Sequence, residues 1–297
     1  MDNDRHSLSG ILDHFIVGDC RDELRKIPDG VVDIIITSPP YYGQRNYRAT
    51  AQIGSESTPH EYLTSLVEVF QECRRVLADT GTLWLNIGDK YLNGHLLGLP
   101  WRLAIRIQDD LNFILRSDII WHKPNAMPSS VKNRPTTDHE YIFFFAKSAD
   151  YYYDADAIRE PHVTFTDKSR MKGGRNHFGR ANSTPENGKN QGNPNLHDAR
   201  WDQAFHPKGR NKRTVWEIPL SKFRDAHFAV FPEKLVETCL LAGSKPGSIV
   251  LDPFMGSGTT ALVATKHNRR FIGIDSSEDY CDLARRRVGS VQVSLAL

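Results

Sequence analysis

Residues 248–260 read Ser248-Ile249-Val250-Leu251-Asp252-Pro253-Phe254-Met255-Gly256-Ser257-Gly258-Thr259-Thr260, and this stretch decides the fold. Ser248 to Leu251 is a short apolar run bounded by Gly247, the pattern of a buried strand. The glycines that follow let the backbone turn tightly and approach a ligand without Cβ clashes. A helical stretch, Ala261 to His267, comes next, and then a second strand, Arg270-Phe271-Ile272-Gly273-Ile274, that ends on Asp275. An acid about 20 residues on, at the tip of the next strand, can grip ribose hydroxyls. A GxGxxA pattern alone is weak, but strand, glycine loop, helix, strand and acid in order predict a nucleoside-cofactor site of Rossmann type. Asp275 also has a plainer reading, as a cap for a helix starting near Ser276.

Two other nucleotide sites fit less well. A dinucleotide dehydrogenase needs further strands and helices after the acid, yet only 22 residues follow Asp275. The missing strands must come from the N-terminal part of the chain. A phosphate-binding P-loop requires Gly-Lys-Ser/Thr after the glycines, and none is present.

A second informative string, Thr37-Ser38-Pro39-Pro40-Tyr41-Tyr42, follows the apolar run Val31-Val32-Asp33-Ile34-Ile35-Ile36. Two successive prolines lack N–H groups and have fixed φ, so the strand stops there and the chain leaves on an extended path. A small hydroxyl precedes the turn and two aromatic rings follow it. Such a tip offers acceptors for an amino group and a platform for a flat ring. A proline-rich turn that merely ends a strand is the plainer alternative.

Around these strings the first half alternates strands and helices. Phe15-Ile16-Val17 reads as a strand, with a helix near Arg21 to Lys26. From His60 to Ala78, apolar Leu63, Leu66, Val67, Phe70, Cys73, Val76 and Leu77 recur at helical spacing. Gly81 is expected to stop that helix before a strand from Thr82 to Ile87. Trp101 to Leu111 reads as another helix, with strands at Ile114 to Trp121 and Tyr141 to Ala146. Right-handed crossovers between such elements build a parallel sheet covered on both faces. From His162 to Arg213 apolar residues thin out, and 11 Lys/Arg stand against 4 Asp/Glu in a chain whose total charge is +2. Phe165, Phe178, Trp201 and Phe205 are interleaved with the charges. Such a basic insert suits phosphate contact, through Lys168, Arg170, Lys172, Arg175, Arg180, Lys208, Arg210, Lys212 and Arg213. A solvated loop is the alternative, and ordering on DNA reconciles the two.

Both strings together resemble the S-adenosylmethionine-dependent DNA amino-methyltransferases. Ser38-Pro39-Pro40-Tyr41 is similar to their catalytic loop and Asp252-Pro253-Phe254-Met255-Gly256-Ser257-Gly258-Thr259-Thr260 to their cofactor loop. Further similarity lies in Gly18-Asp19-Cys20, in Ile120 to Asn125 and in His227 to Lys234. The active-site string comes first, the basic insert second and the glycine loop last, which resembles the beta-type order of that family. The resemblance implies a Rossmann-like α/β fold with a mostly parallel twisted sheet, helices on both faces and a circularly permuted motif order. It implies a catalytic half over 1–160, a target-recognition insert over 161–215 and a cofactor-binding half over 216–297.

The same resemblance implies site-specific methylation of double-stranded DNA, without a covalent intermediate, on a base flipped out of the helix. Ser38 and the carbonyl of Pro39 would hold the amino hydrogens, Pro40 would shape the loop and Tyr41 would stack on the base. For the cofactor, Asp252 would support the glycine loop, while Phe254, Gly256, Gly258 and Thr259 surround methionine and ribose. Asp275 would accept from the ribose, flanked by Ser276. Asp19 would meet the adenosine edge, and Phe231 and Pro232 would pack on the methionine end. Asp89 is a candidate proton acceptor or a local cap, and Trp121, His122 and Lys123 face DNA or serve the structure. Serine at position 38 favours cytosine N4 as the target, with adenine N6 as the runner-up.

Composition excludes other chemistry. Cys20, Cys73, Cys239 and Cys281 are widely spaced, with no CxxC pair and no metal pattern, so reduced thiols in a cytoplasmic protein and no metal are expected. No Pro-Cys string is present, which removes thiolate attack on cytosine ring carbons. No apolar run approaches about 18 residues, and the polar N-terminus has no leader-like apolar core, so no membrane span or secretory leader is expected. A homodimer and a cognate restriction endonuclease are compatible partners. Methylation of RNA and a non-catalytic DNA-binding role are the remaining alternatives.

Overall fold

The computed structural model describes residues 8, 10–43, 52–161, 208–220 and 231–295. Contacts divide the chain into a larger unit, Met1–Tyr153 with Thr214–Leu297, and a smaller one, Asp154–Arg213.

The larger unit is built on an eight-stranded sheet: β1 (His14–Val17), β2 (Val32–Thr37), β3 (Leu77–Ile87), β6 (Ile114–His122), β7 (His139–Ala146), β8 (Val215–Glu217), β9 (Ile249–Asp252) and β10 (Arg270–Asp275). A two-stranded hairpin, β4 (Tyr91–Leu92) and β5 (His95–Leu96), stands apart. The helices are α1 (Cys20–Leu24), α2 (Pro59–Val76), α3 (Leu99–Leu111), α4 (Glu233–Gly243), α5 (Thr259–Lys266) and α6 (Glu278–Leu295). The sheet order is β1-β10-β9-β2-β3-β7-β6-β8. It is the Rossmann-like methyltransferase architecture that the sequence implies, with its strands mostly parallel. No helix among the described residues is long and apolar enough to cross a membrane.

Two details depart from the sequence reading. Strand β7 runs antiparallel to both β3 and β6. Residues 123–138 join β6 to β7 without a helix, and a parallel return needs a crossover of a dozen or more residues, usually helical. The second concerns Gly81, which does not stop a helix. The helix ends at Val76, Leu77 is already extended (φ −72°, ψ 133°), and Gly81 lies inside β3. A Cβ at Gly81 would meet Leu77 Cδ1 at 2.7 Å, so the glycine admits a close approach within the strand.

The connections place the site. From β9 the chain passes through α5 to β10 on one side; from β2 it passes through α2 to β3 on the other. The winding therefore reverses between β9 and β2, which pair directly through Ile34–Val250 and Ile35–Leu251. In open α/β sheets ligands bind outside the carboxyl ends of the strands at such a switch point. Both informative strings emerge there. Ile34, Ile35, Ile36, Val250 and Leu251 are fully buried beneath them. Helix α2 starts at a reciprocal capping box, in which Thr58 accepts from Glu61 N and Glu61 from Thr58 N.

In the smaller unit, the described residues form a short 3-10 turn (Asp156–Ile158) and an antiparallel bridge between Glu160 and Arg210.

Candidate active site

The two strings are joined by one buried carboxylate. Asp252, at the end of β9, is 3% exposed. Its Oδ1 accepts from Thr37 Oγ1 at 2.7 Å and from Phe254 N at 3.1 Å; its Oδ2 accepts from Thr260 Oγ1 at 2.7 Å. Burial pushes its carboxyl up to about 6, against the pull of these hydrogen bonds. Because Thr37 immediately precedes Ser38, the start of the proline turn is tied to the start of the glycine loop.

Within the glycine loop, Gly256 and Gly258 have φ of +54° and +77°, left-handed values that favour glycine. They differ in surroundings. A Cβ on Gly258 would lie 2.5 Å from Ala284 Cβ, whereas one on Gly256 meets nothing within 4 Å. The loop thus packs on α6 at Gly258 and faces open space at Gly256. Phe254 is half-buried against the main core. Thr259 is buried, and its hydroxyl accepts from Arg287 Nη1 at 3.2 Å.

Asp275 accepts from Gly256 N at 2.8 Å through Oδ2 and from Ser277 N at 2.9 Å through Oδ1. Burial raises its carboxyl above the ordinary range. Exposed Ser276 follows it. On the adjacent strand Val17 pairs with Asp275, so Asp19 lies just past the neighbouring tip. Asp19 caps α1 and accepts from Arg21 N at 2.9 Å and from Arg21 Nη2 at 2.5 Å. The Arg21 hydrogen bonds hold its carboxyl below the ordinary range. Pro232 is the N-cap residue of α4, buried, with half-buried Phe231 before it.

On the other side of the switch point, Pro39 is buried and Ser38 and Pro40 half-buried. The loop is held from behind: Tyr62 Oη on α2 donates to Pro40 O at 2.9 Å. Lys90 Nζ donates to Tyr42 O at 3.0 Å and to Gly43 O at 2.9 Å. Ser38 Oγ lies 3.5 Å from Tyr41 Oη. Tyr41 Oη donates to Glu140 Oε2 at 2.7 Å and lies 3.4 Å from Asn86 Oδ1. Burial, then the Glu140 charge, raises the phenol well above its usual value, which keeps it protonated. Glu140 is also ion-paired with Lys123, and both side chains are about 15% exposed (15% and 14%). The Lys123 ammonium sits 4.4 Å from the centre of the Trp121 ring.

Some sequence readings resolve at this edge. Asp89 accepts from Lys90 N at 2.8 Å, Gly98 N at 3.0 Å and Leu99 N at 3.2 Å, which is the local-cap alternative. Trp121 is buried and donates Nε1–H to Ile218 O at 2.7 Å, which is a structural role. Glu140, Tyr62 and Thr37 were not legible as site residues. Glu140 belongs here because β7 runs antiparallel, so its first residues lie at the same edge as the last residues of β2.

Of the basic residues singled out, Lys168, Arg170, Lys172, Arg175 and Arg180 lie outside the described residues. In the smaller unit Arg210 and Lys212 each pair with Glu160 at 3.1 Å, and Lys208 reaches Asp156 at 3.4 Å. Arg213 is exposed.

Comparison with known proteins agrees with this architecture. A family model described as DNA methylase, covering N6 and N4 enzymes, matches residues 32–286. The type II methyltransferase M.Cfr9I of Citrobacter freundii is 39% identical over 300 residues, spanning 91% of this chain and 86% of the relative. M.SmaI of Serratia marcescens, another type II methyltransferase, is 38% identical over 302 residues, spanning 92% and 89%. Among solved structures, a DNA modification methylase of Thermus thermophilus, TTHA0409, complexed with S-adenosyl-L-methionine, superposes with a TM-score of 0.60 at 27% identity, covering 93% of each chain. The PvuII DNA methyltransferase, cytosine-N4-specific, shares the fold at a TM-score of 0.66 and 20% identity, covering 92% of this chain and 85% of its own.

Proposed function

The chain belongs to the N6/N4 DNA methylase family, and from that premise we propose that it methylates the exocyclic N4 of a cytosine in double-stranded DNA, using S-adenosylmethionine. The observation that carries this reading is the Thr37–Asp252 hydrogen bond, which sets Ser38 beside the glycine loop at the switch point of the sheet.

The residues at the strand ends suit a nucleoside cofactor. Open space faces Gly256, and each Asp275 oxygen, already taking one N–H, has a lone pair left for a ribose hydroxyl. Asp252 supports the loop; Phe254, Gly256, Gly258 and Thr259 surround methionine and ribose; Asp275 holds the ribose with Ser276 beside it. Asp19 meets the adenosine edge, and Phe231 and Pro232 pack at the methionine end. When bound, S-adenosylmethionine supplies an electrophilic sulfonium methyl.

The chain's own residues must make the amine a nucleophile. Its lone pair is delocalised into the ring, so acceptors at both amino hydrogens, Ser38 Oγ and the Pro39 carbonyl, localise it and aim it. Pro40 fixes the turn. The Tyr41 ring stacks on the base, an interaction worth roughly 1–3 kcal/mol in single-strand binders. Flipping the base costs a few kcal/mol, which phosphate contacts by the basic segment offset. That segment, 161–215, is the target-recognition insert between the catalytic half, 1–160, and the cofactor half, 216–297. Its contacts come from Lys168, Arg170, Lys172, Arg175, Arg180, Lys208, Arg210, Lys212 and Arg213. The protein works in the cytoplasm as one half of a restriction–modification pair with a cognate endonuclease, and a homodimer is compatible with that role.

Serine at 38 carries the choice of cytosine over adenine. The test is methyl transfer from S-adenosylmethionine to unmethylated genomic DNA, with the digested nucleosides identified by mass spectrometry. N4-methyldeoxycytidine is the expected product. N6-methyldeoxyadenosine would overturn the target base but keep the enzyme class. Transfer to RNA alone, or cofactor binding without transfer, would overturn the DNA-methylating function.

A further inference from the structure

We propose that Glu140 is a positioning residue that sets the direction of a hydrogen-bond chain, Ser38 to Tyr41 to Glu140, so that Ser38 meets the target amine only as an acceptor. The inference rests on the methylation reading above and deepens it.

A serine hydroxyl is both donor and acceptor. If its hydrogen points at the amine nitrogen, it ties up the lone pair that must attack. The group on its far side therefore decides what it can do. Tyr41 Oη has three oxygen neighbours here: Ser38 Oγ at 3.5 Å, Asn86 Oδ1 at 3.4 Å and Glu140 Oε2 at 2.7 Å. The amide of Asn86 is oriented by its own Nδ2, which donates to Tyr141 O at 3.1 Å, so it turns oxygen toward Tyr41. Asn86 and Glu140 thus both present acceptors. The phenol has one hydrogen and gives it to the nearer and charged one, Glu140. Its lone pairs can then only accept, and Ser38 is the donor that faces them. The Ser38 hydrogen is drawn to Tyr41, and its remaining lone pairs are left for the amine. Lys123, on the other oxygen of Glu140, keeps the carboxylate ionised and fixed. At 3.5 Å the first link is long, and hydrogen bonds in ligand-free sites tighten when substrate binds.

The alternative is an ion pair that merely steadies strand β7. The two differ in Glu140→Gln. Lys123 has only donors, so it claims the introduced amide oxygen and turns the NH2 toward Tyr41. Tyr41 then accepts on that side and its hydrogen is released toward Ser38, which reverses the chain. Adding Lys123→Met frees the amide to rotate its oxygen back to Tyr41 and restores the direction.

The experiment measures single-turnover methylation of a duplex oligonucleotide, with cofactor and DNA affinity and thermal melting recorded for each variant. Glu140→Gln is expected to slow transfer about 10- to 100-fold, the scale of one hydrogen bond to a charged group, with both affinities nearly unchanged. Glu140→Gln with Lys123→Met is expected to recover most of that loss. Tyr41→Phe, which keeps the stacking ring, should lose as much, and Glu140→Gln added to it should change nothing further. Wild-type rate in Glu140→Gln, or a further fall on adding Lys123→Met, would overturn the proposal. If the Glu140 variants melt early, a Tyr41→Phe rate equal to wild type overturns it instead. If the wild-type protein methylates no DNA amine, the functional reading fails and this inference falls with it.

Discussion

Thr37 donates its hydroxyl to Asp252 at 2.7 Å across 215 residues of chain, and Thr260 donates to the other oxygen of the same carboxylate at 2.7 Å. One buried acid thereby holds the strand leading to Ser38 and the helix after the glycine loop in a fixed relation. Positioning of this kind matters for a direct transfer, in which two reacting atoms must meet in line.

The buried state of Asp252 gives a pH signature. Burial raises its carboxyl from 3.8 to about 6 in the folded protein. A carboxyl raised on folding binds more protons in the native state between these values, so its contribution to stability falls as pH rises through that window. At about 1.4 kcal/mol per unit, the loss is about 3 kcal/mol between pH 4 and pH 7. Asp252→Asn lacks this titration. Denaturant unfolding of both proteins across that range should show the wild type losing more stability than the variant with rising pH. Parallel curves would show that Asp252 titrates alike in folded and unfolded chains.

Ser38→Ala removes an acceptor for the target amine and touches no residue of the glycine loop. Transfer should fall about 100-fold or more, the scale of losing one preorganised polar group at a reacting centre, with cofactor affinity retained. Single-turnover rates and calorimetric titration separate the two quantities. Loss of cofactor affinity at an unchanged rate would reverse the assigned role.

How much of this was legible in the chain depends on distance along it. The strand–loop–helix–strand unit from Ile249 to Asp275 is local, and its glycines, apolar runs and terminal acid are each set by neighbours within a few residues. Ser38 to Tyr41 was legible for the same reason, since two prolines stop a strand wherever they occur. Glu140 was not. It opens an apolar strand with no motif around it, and only the antiparallel return of β7 brings it to Tyr41. The end of α2 at Val76 is hidden in the sequence because glycine stops helices often, whereas Gly81 here serves a close contact with Leu77 inside a strand. Arg210 and Lys212 stand out as cations, yet the pairing of Arg210 with Glu160 depends on a bridge that spans 50 residues.

Asp275 bears two separable loads. Its oxygens cap Ser277 N and hold Gly256 N, and in the proposed function they also accept from the ribose. Asp275→Ala should weaken S-adenosylmethionine binding about 10- to 100-fold, as expected for hydrogen bonds to a charged group. Some loss of thermal stability should accompany it. A lowered melting temperature with unchanged cofactor affinity would leave the helix-cap role as the whole function of this residue.

The two left-handed glycines of the cofactor loop make the sharpest comparison, because they share a backbone requirement and differ in surroundings. Alanine at either position costs roughly 1–2 kcal/mol for the left-handed backbone. At Gly258 the new Cβ would also lie 2.5 Å from Ala284 Cβ and 3.1 Å from Ala284 Cα, so helix α6 must move. Overpacking of that kind adds about 1–3 kcal/mol, and Gly258→Ala should therefore cost about 2–5 kcal/mol in denaturant unfolding. At Gly256 the new Cβ enters open space, and the stability loss should stop at the backbone figure. That space is where the proposed cofactor approaches the loop, so Gly256→Ala should lose cofactor affinity out of proportion to its stability. Unfolding curves and cofactor titrations on the two variants test the contrast. Equal affinity losses scaled to stability in both would mean that Gly256 shapes the turn and does not face the ligand.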